Sequence, residues 1–123
     1  MDEILIIGAG IGGLTLALEL HQRGIPCRVF ESTPQLKALG VGINILPHAT
    51  RVLSDLGLQD ALAAVAVETA EAAFFNRFGQ LIYREPLGRL AGYRWPQFSI
   101  HRGDLQSVLL EAVKARIGED RLH

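Results

Sequence analysis

A chain of 123 residues with 49% apolar residues can bury one small core. A formal net charge of −1 speaks against a nucleic-acid surface or an anionic membrane partner. Cys27 is the only cysteine, which excludes an internal disulfide, and the acidic start Met1-Asp2-Glu3 precedes an apolar run too short for a signal peptide or a spanning helix.

Ile4-Leu5-Ile6-Ile7, a short apolar run, reads as a strand, and Gly8-Ala9-Gly10-Ile11-Gly12-Gly13 follows it directly. Residues 14–23 have helical periodicity, Gly24 stops it, and Cys27-Arg28-Val29-Phe30 is a second strand closing on Glu31. Strand, glycine-rich turn, helix, strand and acid make a βαβ unit shaped for the ADP half of a dinucleotide. Gly8 allows the tight turn, Gly10 lets backbone approach a pyrophosphate, and Gly13 brings helix and sheet together, a contact that Ala17 extends one turn later. The helix start would offer N–H groups and partial positive charge to phosphates, and Glu31 would accept from a ribose diol. A carboxylate at that position repels a 2′-phosphate and so disfavours tightly held NADP. FAD and NAD both remain open on this unit alone.

Residues 32–39 are polar, contain Pro34 and read as loop; residues 40–46 form a glycine-spaced apolar stretch without helical period. Pro47 opens a helix running to Leu56 with Gly57 as its stop, and a second short helix spans residues 60–66 with Asp60 as cap. Residues 72–75 and 80–84 look like a β-hairpin turning at Asn76-Arg77-Phe78-Gly79. Residues 86–96 read as an irregular connection and residues 98–101 as a brief strand. Leu105, Val108, Leu109, Ala112, Val113 and Ile117 follow helical spacing, with Asp104 as cap or first-turn acid and Gly118 past the end. Another strand is expected to start at residues 121–123. Cys27 is expected to be buried as a small hydrophobe. His21, His48, His101 and His123 show no metal-ligand spacing, so no metal site is expected. The setting these features suggest is cytoplasmic.

Gly8-Ala9-Gly10-Ile11-Gly12-Gly13-Leu14, Phe30-Glu31, Leu39-Gly40-Val41-Gly42-Ile43 and Ile100-His101-Arg102-Gly103-Asp104-Leu105 occur in one order. In this the chain resembles the amino-terminal portion of the single-component FAD-dependent aromatic monooxygenases, the group of the salicylate and phenazine-modifying hydroxylases. The resemblance implies an α/β fold: a Rossmann-like FAD-binding domain, incomplete, with an inserted antiparallel substrate-domain hairpin. Residues 1–70 would be the first part of the FAD-binding domain, residues 71–97 the insertion and residues 98–123 the domain continued. It also implies that Gly8, Gly10, Gly12 and Gly13 form the pyrophosphate turn, and that Glu31, with Ser32 beside it, holds the adenosine ribose. Val41 and Gly42 would run along the flavin, and Arg102 would reach the phosphate or ribitol region, where a guanidinium suits an anion.

The implied chemistry is hydroxylation of a small aromatic substrate with O2, through a C4a-hydroperoxyflavin, with NADH or NADPH as a transient reductant. No protein nucleophile is required: Thr15 and Ser107 lack a local base, and no catalytic residue is assigned. Some relatives carry a histidine where this chain has Asn44; an amide cannot take a proton and could only orient by hydrogen bonds. Tyr93 and Trp95 would line an aromatic pocket or pack between strands. The 123 residues by themselves are expected to be inactive, since the rest of the active-site wall lies later in the family's sequence. Two other readings stay open: another FAD- or NAD-dependent oxidoreductase, and a truncated, non-catalytic dinucleotide-binding module.

Overall fold

The structure, a computed structural model, describes residues 2–32 and 41–123 and divides into two compact units, Met1–Val41 with His101–His123, and Gly42–Ile100. Most of the loop expected at residues 32–39, together with Gly40, lies outside the described residues.

The first unit begins with the βαβ element. Strands β1 (Ile4–Ile7) and β2 (Cys27–Phe30) pair in parallel, Ile4 opposite Cys27 and Ile7 opposite Phe30, and helix α1 (Ile11–Gln22) connects them. Gly24 takes φ +74° just past α1, a left-handed stop that frees the chain to enter β2. The long helix of this unit, labelled α4 in chain order (Arg102–Arg116), packs on α1. Its buried side chains Leu105, Leu109, Ala112 and Val113 are spaced on one face, as the periodicity predicts, and α1 meets them with Leu14, Ala17 and Leu18 in its own buried set. After α4 the chain reaches β2. Leu122 forms a parallel bridge to Val29, His123 N–H donates 2.8 Å to the Val29 carbonyl, and Glu31 N–H donates 2.8 Å to the His123 carbonyl. The His123 ring stacks on Phe30 at 5.0 Å. Of the strand start expected at residues 121–123, an isolated bridge at Leu122 is present, while Arg121 closes a 3-10 turn over Glu119–Arg121.

In the second unit β3 (Gly42–Ile45) comes from the glycine-spaced stretch, α2 (Pro47–Asp55) has Pro47 in its first turn, and α3 spans Gln59–Ala63. Asp60 is not the cap of α3. Leu58 holds that position and Asp60 lies in the first turn, where its charge still meets the helix dipole. Strand β4 (Val67–Thr69) was not anticipated; it is three residues long, too short to show an alternation. It pairs antiparallel with β7 (Gln97–His101) in a sheet ordered β3-β7-β4. Strands β5 (Glu71–Phe75) and β6 (Leu81–Pro86) form the expected hairpin, with a register shift between Phe74 and Phe75. Its turn is tied by Asn76 Oδ1, which accepts from the N–H groups of Phe78 and Gln80. The stretch expected to be irregular contains one 3-10 turn, Gly88–Ala91. Thr50, buried in α2, donates its hydroxyl 2.7 Å to the Pro96 carbonyl and so fixes the approach to β7.

Candidate nucleotide-binding site

The glycines of the turn divide by what surrounds them. Gly8 has φ +106°, which only glycine adopts at little cost, and its N–H donates 2.7 Å to the Phe30 carbonyl. A Cβ on Gly13 would stand 2.0 Å from the Gly8 carbonyl oxygen and 3.3 Å from an Ile6 methyl. These two positions are demanded by the backbone itself. Gly10 and Gly12 are different: neither has positive φ, and a Cβ on either would meet nothing within 4 Å. Gly12 lies inside α1, where glycine weakens a helix by about 0.5–1 kcal/mol relative to alanine. Packing among the described residues gives no reason for this pair, whereas a ligand laid against the turn would.

Helix α1 starts at that same place. Gly10 is its N-cap, no side chain caps it and no acidic residue stands in its first turn, so the positive end of the helix is left to an incoming anion. Glu31, just past β2, reaches back across the turn, and its Oε1 accepts from the Ala9 N–H at 2.9 Å. On the other side of the same residue the Ala9 carbonyl accepts from Gln106 Nε2 of α4 at 3.0 Å. Ala9 itself is fully buried. Sequence reasoning missed Gln106. Its only signal is the four-residue spacing from Arg102, which places both on one side of α4.

Arg102 opens α4 and is exposed; its backbone N–H donates 3.0 Å to the Val41 carbonyl. Among the described residues no carboxylate pairs with its guanidinium. The cap of α4 is His101, whose Nδ1 accepts from the Gly103 N–H at 3.1 Å, and Asp104 is a first-turn acid. Val41 is exposed, and Ser32 is exposed in a bend after Glu31. Gly42 begins β3 in the second unit, where a Cβ would lie 3.8 Å from the Ile100 carbonyl, so ordinary packing leaves room for one. Thus Gly8, Gly10, Gly12 and Gly13 share one turn to which Glu31 is bonded through Ala9, Arg102 and Val41 share a hydrogen bond, and among the described residues Ser32 makes no contact that defines a role.

The second unit places the remaining candidates. Asn44 Oδ1 accepts from the Ser99 hydroxyl at 2.7 Å, which fixes its amide across the β3 and β7 strands. Tyr93 lines a cavity of about 390 Å³ together with Pro47, Glu85, Leu87 and Gln97. Trp95 is elsewhere, its ring under the Arg51 guanidinium at 5.9 Å. The perturbed acid of this unit is Glu68. Two hydrogen bonds from Arg89, at 2.6 and 2.7 Å, hold its carboxyl below the usual range. Among the described residues no cluster of His, Cys, Asp and Glu is arranged to hold a metal ion.

The chain is 48% identical over 119 residues to a phenazine 1,6-dicarboxylic acid hydroxylase of Lysobacter antibioticus, covering 96% of this chain and 29% of that protein. It is 44% identical over 120 residues to a 3-amino-4-hydroxybenzoate 2-monooxygenase of Streptomyces cremeus, again covering 29% of the relative. Among solved structures it superposes on Klebsiella pneumoniae HpxO complexed with FAD and uric acid with a TM-score of 0.75 and 27% identity, over 98% of this chain and 30% of that one. The chain thus spans a little under a third of the length of the proteins it matches. Residues 1–116 match the FAD binding domain family, and the chain belongs to it.

Proposed function

We propose that this chain is the FAD-holding amino-terminal part of an enzyme that hydroxylates a small aromatic substrate with O2, using NADH or NADPH as reductant. The observation that carries the cofactor half is the turn: two glycines with open space where a Cβ would go, an uncapped helix start and a carboxylate at the far edge. In this reading the α1 start and the backbone at Gly8, Gly10, Gly12 and Gly13 bind the diphosphate of FAD. Glu31 accepts from the adenosine ribose while keeping its bond to Ala9, and Ser32 stands beside it. The Arg102 guanidinium meets the phosphate or ribitol end, and the bond from its N–H to Val41 ties the α4 start to the segment that leads on to Gly42. When bound, FAD supplies the hydride acceptance and oxygen activation that side chains lack. Asn44, held by Ser99, orients by hydrogen bonding and moves no proton.

The hydroxylation half rests on likeness to proteins named as hydroxylases and monooxygenases. A cytoplasmic setting is supported by a free, buried Cys27, and no helix among the described residues is long and apolar enough to cross a membrane.

The test begins with the ligand. Purified protein, loaded with FAD if necessary, should release FAD on denaturation, and Glu31→Ala should weaken FAD binding by about 1.5–3 kcal/mol. Binding of NAD in place of FAD would overturn the cofactor. The chain supplied with FAD, both reduced nicotinamides and a panel of aromatic acids should bind FAD without substrate-stimulated turnover. Reaction needs an enclosure against water that a third of such an enzyme does not build. Hydroxylated product from this chain alone would refute that last point.

A further inference from the structure

We infer that Gln106 is a positioning residue of the FAD site, fixing the direction of the peptide between Ala9 and Gly10 and so keeping the mouth of α1 open to a diphosphate. This rests on the reading that the glycine turn binds the diphosphate. The Ala9 carbonyl and the Gly10 N–H belong to one peptide, and in a trans peptide they point opposite ways. No cis peptide occurs among the described residues. Gln106 Nε2, 3.0 Å from the Ala9 oxygen, therefore sets both: the carbonyl is drawn toward α4 and the Gly10 N–H is turned away from it.

The restraint matters because this peptide is easily turned over. Where glycine follows a peptide, its φ can change sign at little steric cost, which is how type I and type II turns interconvert. A turned Ala9 carbonyl would bring a negative dipole to a helix start that no side chain caps, satisfying N–H groups meant for phosphate oxygens. Glu31 holds the Ala9 N–H, which lies in the preceding peptide, and cannot fix this one. Gln106 comes from a helix 97 residues away, packed on α1, so the restraint arrives only when α4 is docked.

The experiment compares ligands that do and do not carry phosphate. Gln106→Met keeps length and volume but removes the donor. FAD and ADP binding, by calorimetry, should weaken about tenfold, the size of one lost hydrogen bond, while adenosine binding, followed by NMR, stays at the wild-type value. Equal weakening for adenosine would make Gln106 merely structural, and unchanged ADP affinity would show that the donor does nothing; either overturns the inference. Should the methionine variant fail to fold, Gln106→Glu has the same shape and carries the test. It should bind ADP more than tenfold worse at neutral pH and recover, relative to wild type at each pH, as its carboxyl gains a proton to donate. Absence of that recovery also overturns it. Wild-type protein that binds no ADP would refute the nucleotide reading itself, and this inference with it.

Discussion

Gly10 and Gly13 are three residues apart, yet substitution should damage them in opposite ways. Gly13→Ala puts a methyl 2.0 Å from a backbone oxygen that cannot move without opening the turn, so a loss of about 3 kcal/mol or more is expected in urea unfolding. At Gly10 a Cβ meets nothing within 4 Å among the described residues and a φ of −78° suits any residue, so Gly10→Val should change stability by only about 1 kcal/mol, the scale of an N-cap exchange. FAD binding by the Val variant should nevertheless be nearly abolished. Tight binding by a folded Gly10→Val protein would place the ligand elsewhere. The sequence already assigns Gly8 and Gly13 to the backbone and Gly10 to a ligand; the structure keeps that division and places Gly12 beside Gly10.

At the scale of elements, Cys27 shows how closely β2 lies on α1. Its thiol is buried and donates a long 3.9 Å contact to the Ala17 carbonyl, one turn beyond Gly13. Burial pushes its pKa up, against the opposing charge of Arg121. The folded state therefore holds this proton more firmly than the unfolded chain. That contribution to stability is complete below the ordinary thiol pKa and is lost as pH rises through the raised folded value. Labelling by a thiol reagent should be slow in the native protein and follow unfolding as urea is added. Fast native labelling would show that β2 and α1 do not stay packed. These elements were legible because each carries its own signal: an apolar run, a 3.6 period, a closing glycine. What escaped was either too short, as β4, or long-range and polar, as the bond from Gln106 to Ala9, which no local period announces. The cap of α4 was missed for a related reason. His101 accepts through a ring nitrogen, and nearby Asp104 offered the more familiar acid.

Over the whole molecule, several large apolar side chains stand in solvent. Ile7 of β1 is 82% exposed and Leu5 58%, and in the hairpin Phe78 is 72% and Ile82 67% exposed. β1 is apolar throughout, yet among its residues only Ile6 is buried. Surfaces of this kind, beside unpaired strand edges, favour association. The chain on its own should sediment as larger species as concentration rises, and Ile7→Lys with Phe78→Lys should reduce this. A monodisperse wild-type protein at high concentration would count against it.

The bond between the Val41 carbonyl and the Arg102 N–H, 3.0 Å long, bears on inheritance. The polypeptide leaves the first unit and re-enters it at one point, so everything between is a closed excursion rather than a bridge. The entropic cost of such an excursion grows only with the logarithm of its length, about 0.6 kcal/mol per doubling. Residues 42–100 can therefore be lengthened, shortened or exchanged across generations at little cost to the turn at Gly8–Gly13, provided the two ends still meet. The turn and the excursion at residues 42–100 are free to evolve at different speeds.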